Sequence, residues 1–182
     1  MTGERLEQFW RTLVLTFPET VELGGAVVAG CSGIPIPLFN HAAGVNVNEG
    51  EAEDFLNRVI SRFSSQKLPF ACFRISPLTR PASFASLLTS YGFKKESEDS
   101  IMVFTGKPAQ VKVSHNVKIE VTSEDQIDVF DRVLVESCGI PIEWKEALDR
   151  LVTSWTRKGA RNYLAYVEGN PVGTTTLASC AR

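Results

Sequence analysis

Apolar positions along the chain switch between two periods, and the switches mark its elements. Leu6, Phe9, Trp10, Leu13 and Val14 recur at three- and four-residue intervals, which predicts a helix that Pro18 ends. Two strand-like runs follow, Val21–Cys31 and Leu38–Val47. Ser32-Gly33-Ile34-Pro35-Ile36-Pro37 separates them, and its prolines cannot donate to a central ladder. The clearest helical stripe is Ala52, Phe55, Leu56, Val59, Ile60 and Phe63, with Asn48 and Glu51 spaced for a capping box at its start. Pro69–Ser76 reads as a short strand. Pro81 then fits the first turn of a helix carrying Phe84, Leu87, Leu88 and Tyr91, with Gly92 as its stop and Ser100–Thr105 as a following strand.

Gly106 to Asn116 is polar and holds one proline, which suits a linker. Beyond it Val117, Ile119 and Val121 alternate as a half-buried strand. Ser123 and Gln126 form a second capping box, opening a helix with Ile127, Phe130, Val133 and Leu134 inward. After Gly139-Ile140-Pro141 a further helix puts Trp144, Ala147, Leu148, Leu151, Val152 and Trp155 on one face. The last elements are strands Tyr163–Val167 and Val172–Leu177 around a Glu168-Gly169-Asn170-Pro171 turn. The order is α-β-β-α-β-α-β, linker, β-α-α-β-β, an α/β chain with mixed α+β sheets. It divides into residues 1–106, a linker at 107–116, and residues 117–182. The second block is shorter than about seventy residues and marginal for folding alone.

Composition changes this picture little. The 182 residues are 43% hydrophobic and 22% charged, ordinary for a folded soluble domain. A net charge of -2 gives no electrostatic case for nucleic acid or an anionic membrane as partner. The longest apolar stretches are too short to cross a bilayer, and no signal-peptide pattern is present. Cys31, Cys72, Cys138 and Cys180 are scattered without a Cys-x-x-Cys pair, and only His41 and His115 accompany them, so no metal site is expected. Single cysteines read as buried small hydrophobes in a reducing cytoplasm.

Two segments carry a family resemblance. Val117–Cys180, a strand, two helices and a hairpin turning at Glu-Gly-Asn-Pro-Val-Gly, resembles the opening half of GNAT acetyltransferases. Ser83–Phe93, a helix ending Tyr91-Gly92-Phe93, followed by Ile101-Met102-Val103-Phe104, resembles the closing helix and strand of the same fold. The whole chain is similar to bacterial two-domain members whose amino-terminal domain is a degenerate copy; Leu38-Phe39-Asn40 and Pro69-Phe70 fit that first domain. The resemblance implies, in complete relatives, acetyl transfer from acetyl-CoA to a small-molecule or peptide amine. It also implies a cofactor loop, Arg/Gln-x-x-Gly-x-Gly/Ala, whose glycines admit backbone N–H groups to the pyrophosphate at a helix amino terminus. That loop, the general base and the tyrosine acid would lie beyond Arg182. The catalytic residues therefore stay unassigned, and this chain alone is expected to bind acetyl-CoA weakly or not at all. The alternative is a non-catalytic protein that recruits a partner strand, or a second copy of itself, along an exposed sheet edge.

Several residues are candidates for chemistry. Arg74 and Arg80 flank a strand-to-helix connection where the degenerate domain would once have held its own loop, and they are candidates for an anion site; no glycine there brings the backbone close. Arg157-Lys158-Gly159-Ala160 mimics a cofactor loop but runs from helix to strand, the reverse of the required order. Glu143 and Glu146 lie on what the resemblance makes the acceptor-substrate side, although a solvated helix face is the simpler account of them, because charged residues mostly stay exposed. Leu88 stands where a catalytic copy often carries tyrosine and cannot donate a proton, while Tyr91 reads as packing at the helix end. His41 and His115 have no partner in the sequence pattern to orient them as a base. Trp10, Trp144 and Trp155 fall in helical stripes, which reads as core.

Overall fold

The computed structural model describes residues 3–98 and 116–178. The expected strand Ser100–Thr105, the linker up to His115, and Cys180 lie outside those residues.

Helix α1 spans Gly3–Val14. The run Val21–Cys31 is not one strand: Gly24 and Gly25 take φ of 52° and 90° and fold it into β1 (Val21–Leu23) and β2 (Ala26–Val28), with Val21 opposite Val28. A Cβ on Gly25 would lie 2.3 Å from the Asn46 carbonyl oxygen, so space as well as backbone angle demands glycine there. Leu38–Val47 is likewise shorter than expected, contributing only β3 (Ala42–Ala43) beside β2. The preceding residues turn around Asn40, whose buried amide donates to the carbonyls of Ile34 (2.7 Å) and Ile36 (3.1 Å) and accepts from the Cys31 N–H (2.8 Å). A side chain that satisfies three backbone groups removes them from any ladder. Pro69–Ser76 makes no strand, only a parallel bridge of Phe73 to Ala42.

Helix α2 (Ala52–Ser65) buries Ala52, Phe55, Leu56, Val59 and Phe63 of the expected stripe. Its lead-in is a 3-10 turn at Glu49–Glu51. Asn48 and Glu51 bond each other through their side chains at 2.8 Å, and neither side chain caps the backbone. Helix α3 (Phe84–Ser90) starts three residues after Pro81, which follows a cis peptide bond and precedes the helix. The first-turn role expected of Pro81 is thus replaced by a turn, closed by the Phe84 N–H on the Pro81 carbonyl at 3.0 Å.

The second block follows its expected order. It runs through β4 (Val117–Val121), α4 (Ile127–Cys138), α5 (Lys145–Arg157), β5 (Arg161–Val167) and β6 (Asn170–Leu177). Ser123 and Gln126 close the capping box, the Ser123 N–H donating to Gln126 Oε1 at 3.1 Å. Glu168 and Gly169, both left-handed, make the hairpin turn. The strands lie in the order β4-β5-β6, antiparallel throughout. With the β1-β2-β3 sheet and five helices among the described residues, the fold is α+β.

One face of the second sheet differs from the alternation reading. Leu164 is fully buried under the helices, and the residues opposite it and its neighbour Tyr166 are Glu120 and Lys118. Opposed residues point to one side of a sheet, so the charged positions of β4 share the side of Leu164, where Lys118 and Glu120 form an exposed pair at 2.5 Å. Its apolar positions face the other way: Ile119 and Val121 stay 60% and 58% exposed.

The two blocks share a core. Val14, Phe17, Val27, Ala29, Cys31 and Ile34 pack with Phe130, Val133, Ala147, Leu148, Leu151, Val152 and Leu164. Strand β2 is buried on both faces: Val27 joins this cluster, while Ala26 and Val28 join a second one built on α2 and α3. The carboxy-terminal end of α1 leaves carbonyls without helical partners, and α5 supplies donors for them. Ser154 Oγ donates to the Thr16 carbonyl at 2.5 Å and Lys158 Nζ to that of Leu15. Gly33 lies so close to α5 that a Cβ on it would be 2.5 Å from the Ala147 Cβ.

Candidate functional site

A groove of about 420 Å³ runs along α4 and the start of α5. Val129, Val135 and Ile142 give it an apolar lining, and Asp128, Glu136, Arg132 and Lys145 give it charged walls of both signs. The spacing 128, 129, 132, 135, 136 places one continuous face of α4 along the groove. Ile142 comes from the 3-10 turn before α5, and Lys145 from its first residue. Such a groove suits an elongated ligand with an apolar body and a charged end.

Beneath this wall lies an unusual acid. Asp131 of α4 is completely buried, and neither carboxyl oxygen meets an N–H or O–H donor. The charged groups acting on it are Asp149 and Lys145 of α5 and Asp128 of its own helix. Burial first, and then the neighbouring Asp149, push Asp131 up to about 7. Lys145 bridges the helices: Nζ lies 3.1 and 2.9 Å from the two Asp149 oxygens and 3.7 Å from Asp128 Oδ1. These contacts raise the Lys145 pKa, Asp149 most of all. Among the described residues no three His, Cys, Asp or Glu side chains are placed to hold a metal ion, so the acids form an ionic cluster within the protein.

The residues singled out from sequence do not gather at one place. The Arg74 guanidinium stacks 3.9 Å from the centre of the Trp10 ring, which gives Trp10 a cation–π partner. Arg80 turns back on its own loop, donating to the carbonyls of Pro77 (3.2 Å) and Thr79 (2.9 Å). Glu143 is exposed on the turn that carries Ile142 into the groove, and Glu146, one turn on, pairs with Arg150 at 2.8 Å. Neither acid lines the groove, although each is next in sequence to a residue that does, Ile142 or Lys145. Lys158 is spent on α1, so the Arg157–Ala160 segment serves a helix end. Leu88 is buried in the second cluster; Tyr91 is half-exposed, its hydroxyl donating to Glu53.

His41 is buried, Nδ1 lying 3.0 Å from the Pro37 carbonyl and Nε2 unpartnered. Burial holds its pKa below the ordinary histidine value, outweighing the Pro37 bond. Burial pushes the Cys31 thiol up to about 11, with Glu19 adding to it, and Cys72 is raised by the same cause. Neither thiol is poised as a nucleophile. Trp144 and Trp155 pack against the shared core.

Asp131 and Asp149 escaped the sequence reading, although one signal was present. Asp131 lies four residues after Ile127 and next to Phe130, on the apolar stripe of its helix, where a charged residue needs an explanation. Asp149 sits likewise beside Leu148. The crossing that brings the two together is tertiary. Compared with models of known protein families, with curated proteins and with solved structures, the chain matches none.

Proposed function

We propose that residues 117–177 are the acceptor-side front of a GNAT-type N-acyltransferase unit, which in complete form moves an acetyl group from acetyl-CoA to an amine. One observation supports this most: β4, α4, α5, β5 and β6 form a strand, two helices and an antiparallel hairpin in the sheet order β4-β5-β6, the arrangement the resemblance implied. The groove along α4 then serves the amine, its apolar lining taking the substrate body and Asp128 or Glu136 its ammonium. In such a transfer a base removes the ammonium proton, the amine nitrogen attacks the thioester carbonyl, and the coenzyme A thiolate leaves. No described strand-to-helix turn carries the glycines a pyrophosphate cradle needs.

Residues 1–182 are accordingly expected to show no micromolar affinity for acetyl-CoA by calorimetry; a micromolar Kd would overturn that division of labour. The lineage is tested separately with the chain extended by whatever its reading frame encodes after Arg182. Acetyl-CoA binding and amine-dependent thiol release in the extended protein support it. A folded extended protein lacking both overturns it.

A second reading, self-association without catalysis, is favoured by the edge strand β6, which pairs only with β5 among the described strands, and by the exposed Ile119, Val121 and Leu177 of the same sheet. Light scattering at high protein concentration should then find dimers or larger species that Leu177→Lys disperses. A stable monomer rules this reading out.

A further inference from the structure

We infer that the groove along α4 docks an extended basic segment of a protein partner, one that carries two cationic side chains four residues apart with an apolar residue midway. The near-neutral balance of the chain hides a strongly acidic region. Between Glu120 and Asp149 stand nine acidic residues against only Arg132 and Lys145, while the whole chain has 21 acidic and 19 basic residues. The rest of the chain is therefore net positive, and the negative charge is concentrated on the elements that build the groove. Much of that charge is unspent. Lys145 is held by Asp149 at 2.9 and 3.1 Å. The Asp128 side chain is 91% exposed and 3.7 Å from Lys145, and Glu136 makes no ion pair or hydrogen bond among the described residues. Spacing decides the ligand. Asp128 and Glu136 both line the groove, eight residues and about 12 Å apart along α4. In an extended peptide, residues four apart lie about 13 Å from each other and project to one side, with the residue midway projecting between them. Two cations so spaced meet the two carboxylates, and the residue between them falls on Val129, Val135 and the 70% exposed Ile142. Arg132, between the two acids, opposes a third cation there. Where the groove serves as an acceptor site, a role that rests on the acyltransferase reading, this segment carries the amine; docking itself requires no acetyl-CoA.

Backbone amide NMR of residues 1–182, titrated without acetyl-CoA with the peptide acetyl-Lys-Ser-Leu-Ser-Lys-amide, tests the inference. Saturable shifts should be confined to α4 and residues 140–146. Raising salt from about 50 to about 500 mM should weaken binding about tenfold or more, since the ionic contacts are solvent-exposed. Glu136→Lys and Ile142→Ser each alter an exposed side chain and leave the core intact, and each should weaken binding about tenfold or more. Acetyl-Lys-Ser-Lys-Ser-Lys-amide and spermidine, which bring an ammonium toward Arg132, should bind more weakly than the leucine peptide. Absent shifts, shifts elsewhere, salt-insensitive binding, or either variant binding as well as the unmodified chain overturns the docking site. Equal or tighter binding of spermidine or the three-lysine peptide overturns the apolar centre, and with it the proposed pattern. An extended protein that transfers no acetyl group would overturn the acyltransferase reading and leave this binding result standing.

Discussion

Phe130→Ala is expected to destabilise the whole chain by about 3–5 kcal/mol, the usual range for removing a large aromatic side chain from a tight core. Phe130 is 1% exposed and lies in the cluster that Val14, Phe17, Val27 and Ile34 of the first block share with α4, α5 and β5. The cavity would therefore open at the junction of the blocks. Because that core is continuous, and β2 links it to the cluster under α2, both blocks should melt in one transition. Trp10 reports on the first block and Trp144 and Trp155 on the second. Single-tryptophan variants of the Phe130→Ala protein should thus give coincident urea curves, shifted to lower midpoint. Two separated transitions, with only the second block shifted, would show that the cores are independent.

The second large effect comes from Asp131. Between the ordinary aspartate value of 3.8 and about 7, the folded chain keeps a proton at Asp131 that the unfolded chain has lost. Stability therefore falls as pH rises through that window and levels off above it. This is the reverse of the usual salt-bridged carboxylate, whose contribution grows with pH. Asp131→Asn removes the titrating group, so it should stabilise the chain by roughly 2–4 kcal/mol at pH 8 and by much less at pH 4.5. Urea unfolding at the two values measures the difference. Equal effects of the substitution at both pH values would count decisively against a proton held in the core.

The helices of this chain were largely legible in its sequence. A 3.6-residue stripe is a local property, and the stripes in α2, α4 and α5 carry enough apolar residues that any core would bury them. The capping box at Ser123 and Gln126 and the Glu168-Gly169 turn are local too, set by side-chain reach and backbone angle. The strands of the first block were less legible. Val21–Cys31 and Leu38–Val47 have strand composition, yet Gly24-Gly25 folds the first, and the Asn40 side chain takes the hydrogen bonds the second would need. Composition does not say which donor a carbonyl meets.

The orientation of β4 shows a sharper limit. Alternation at Val117, Ile119 and Val121 established a strand with one apolar face. It could not say which face the helices cover, because that depends on the register with β5 and the side on which α4 and α5 cross. In the fold the charged positions share the side on which Leu164 is buried, Lys118 itself staying 73% exposed, and Ile119 and Val121 lie on the other side. The groove and the buried Asp131 carboxyl belong to the same class. Arg74, Arg80, Glu143 and Glu146 were visible as charged residues near element ends, and tertiary packing dispersed the arginines onto Trp10 and local carbonyls. It paired Asp131 with Asp149 instead, two residues eighteen positions apart on different helices. By itself, then, the sequence determined the main helices, the Ser123–Gln126 capping box, the final hairpin and the α+β class, since each rests on contacts a few residues long, whereas the box expected from Asn48 and Glu51 did not form. Strand register, the sheet face on which Leu164 is buried, the common core and the burial of Asp131 were decided only by tertiary structure, because each depends on which distant surfaces exclude water from one another.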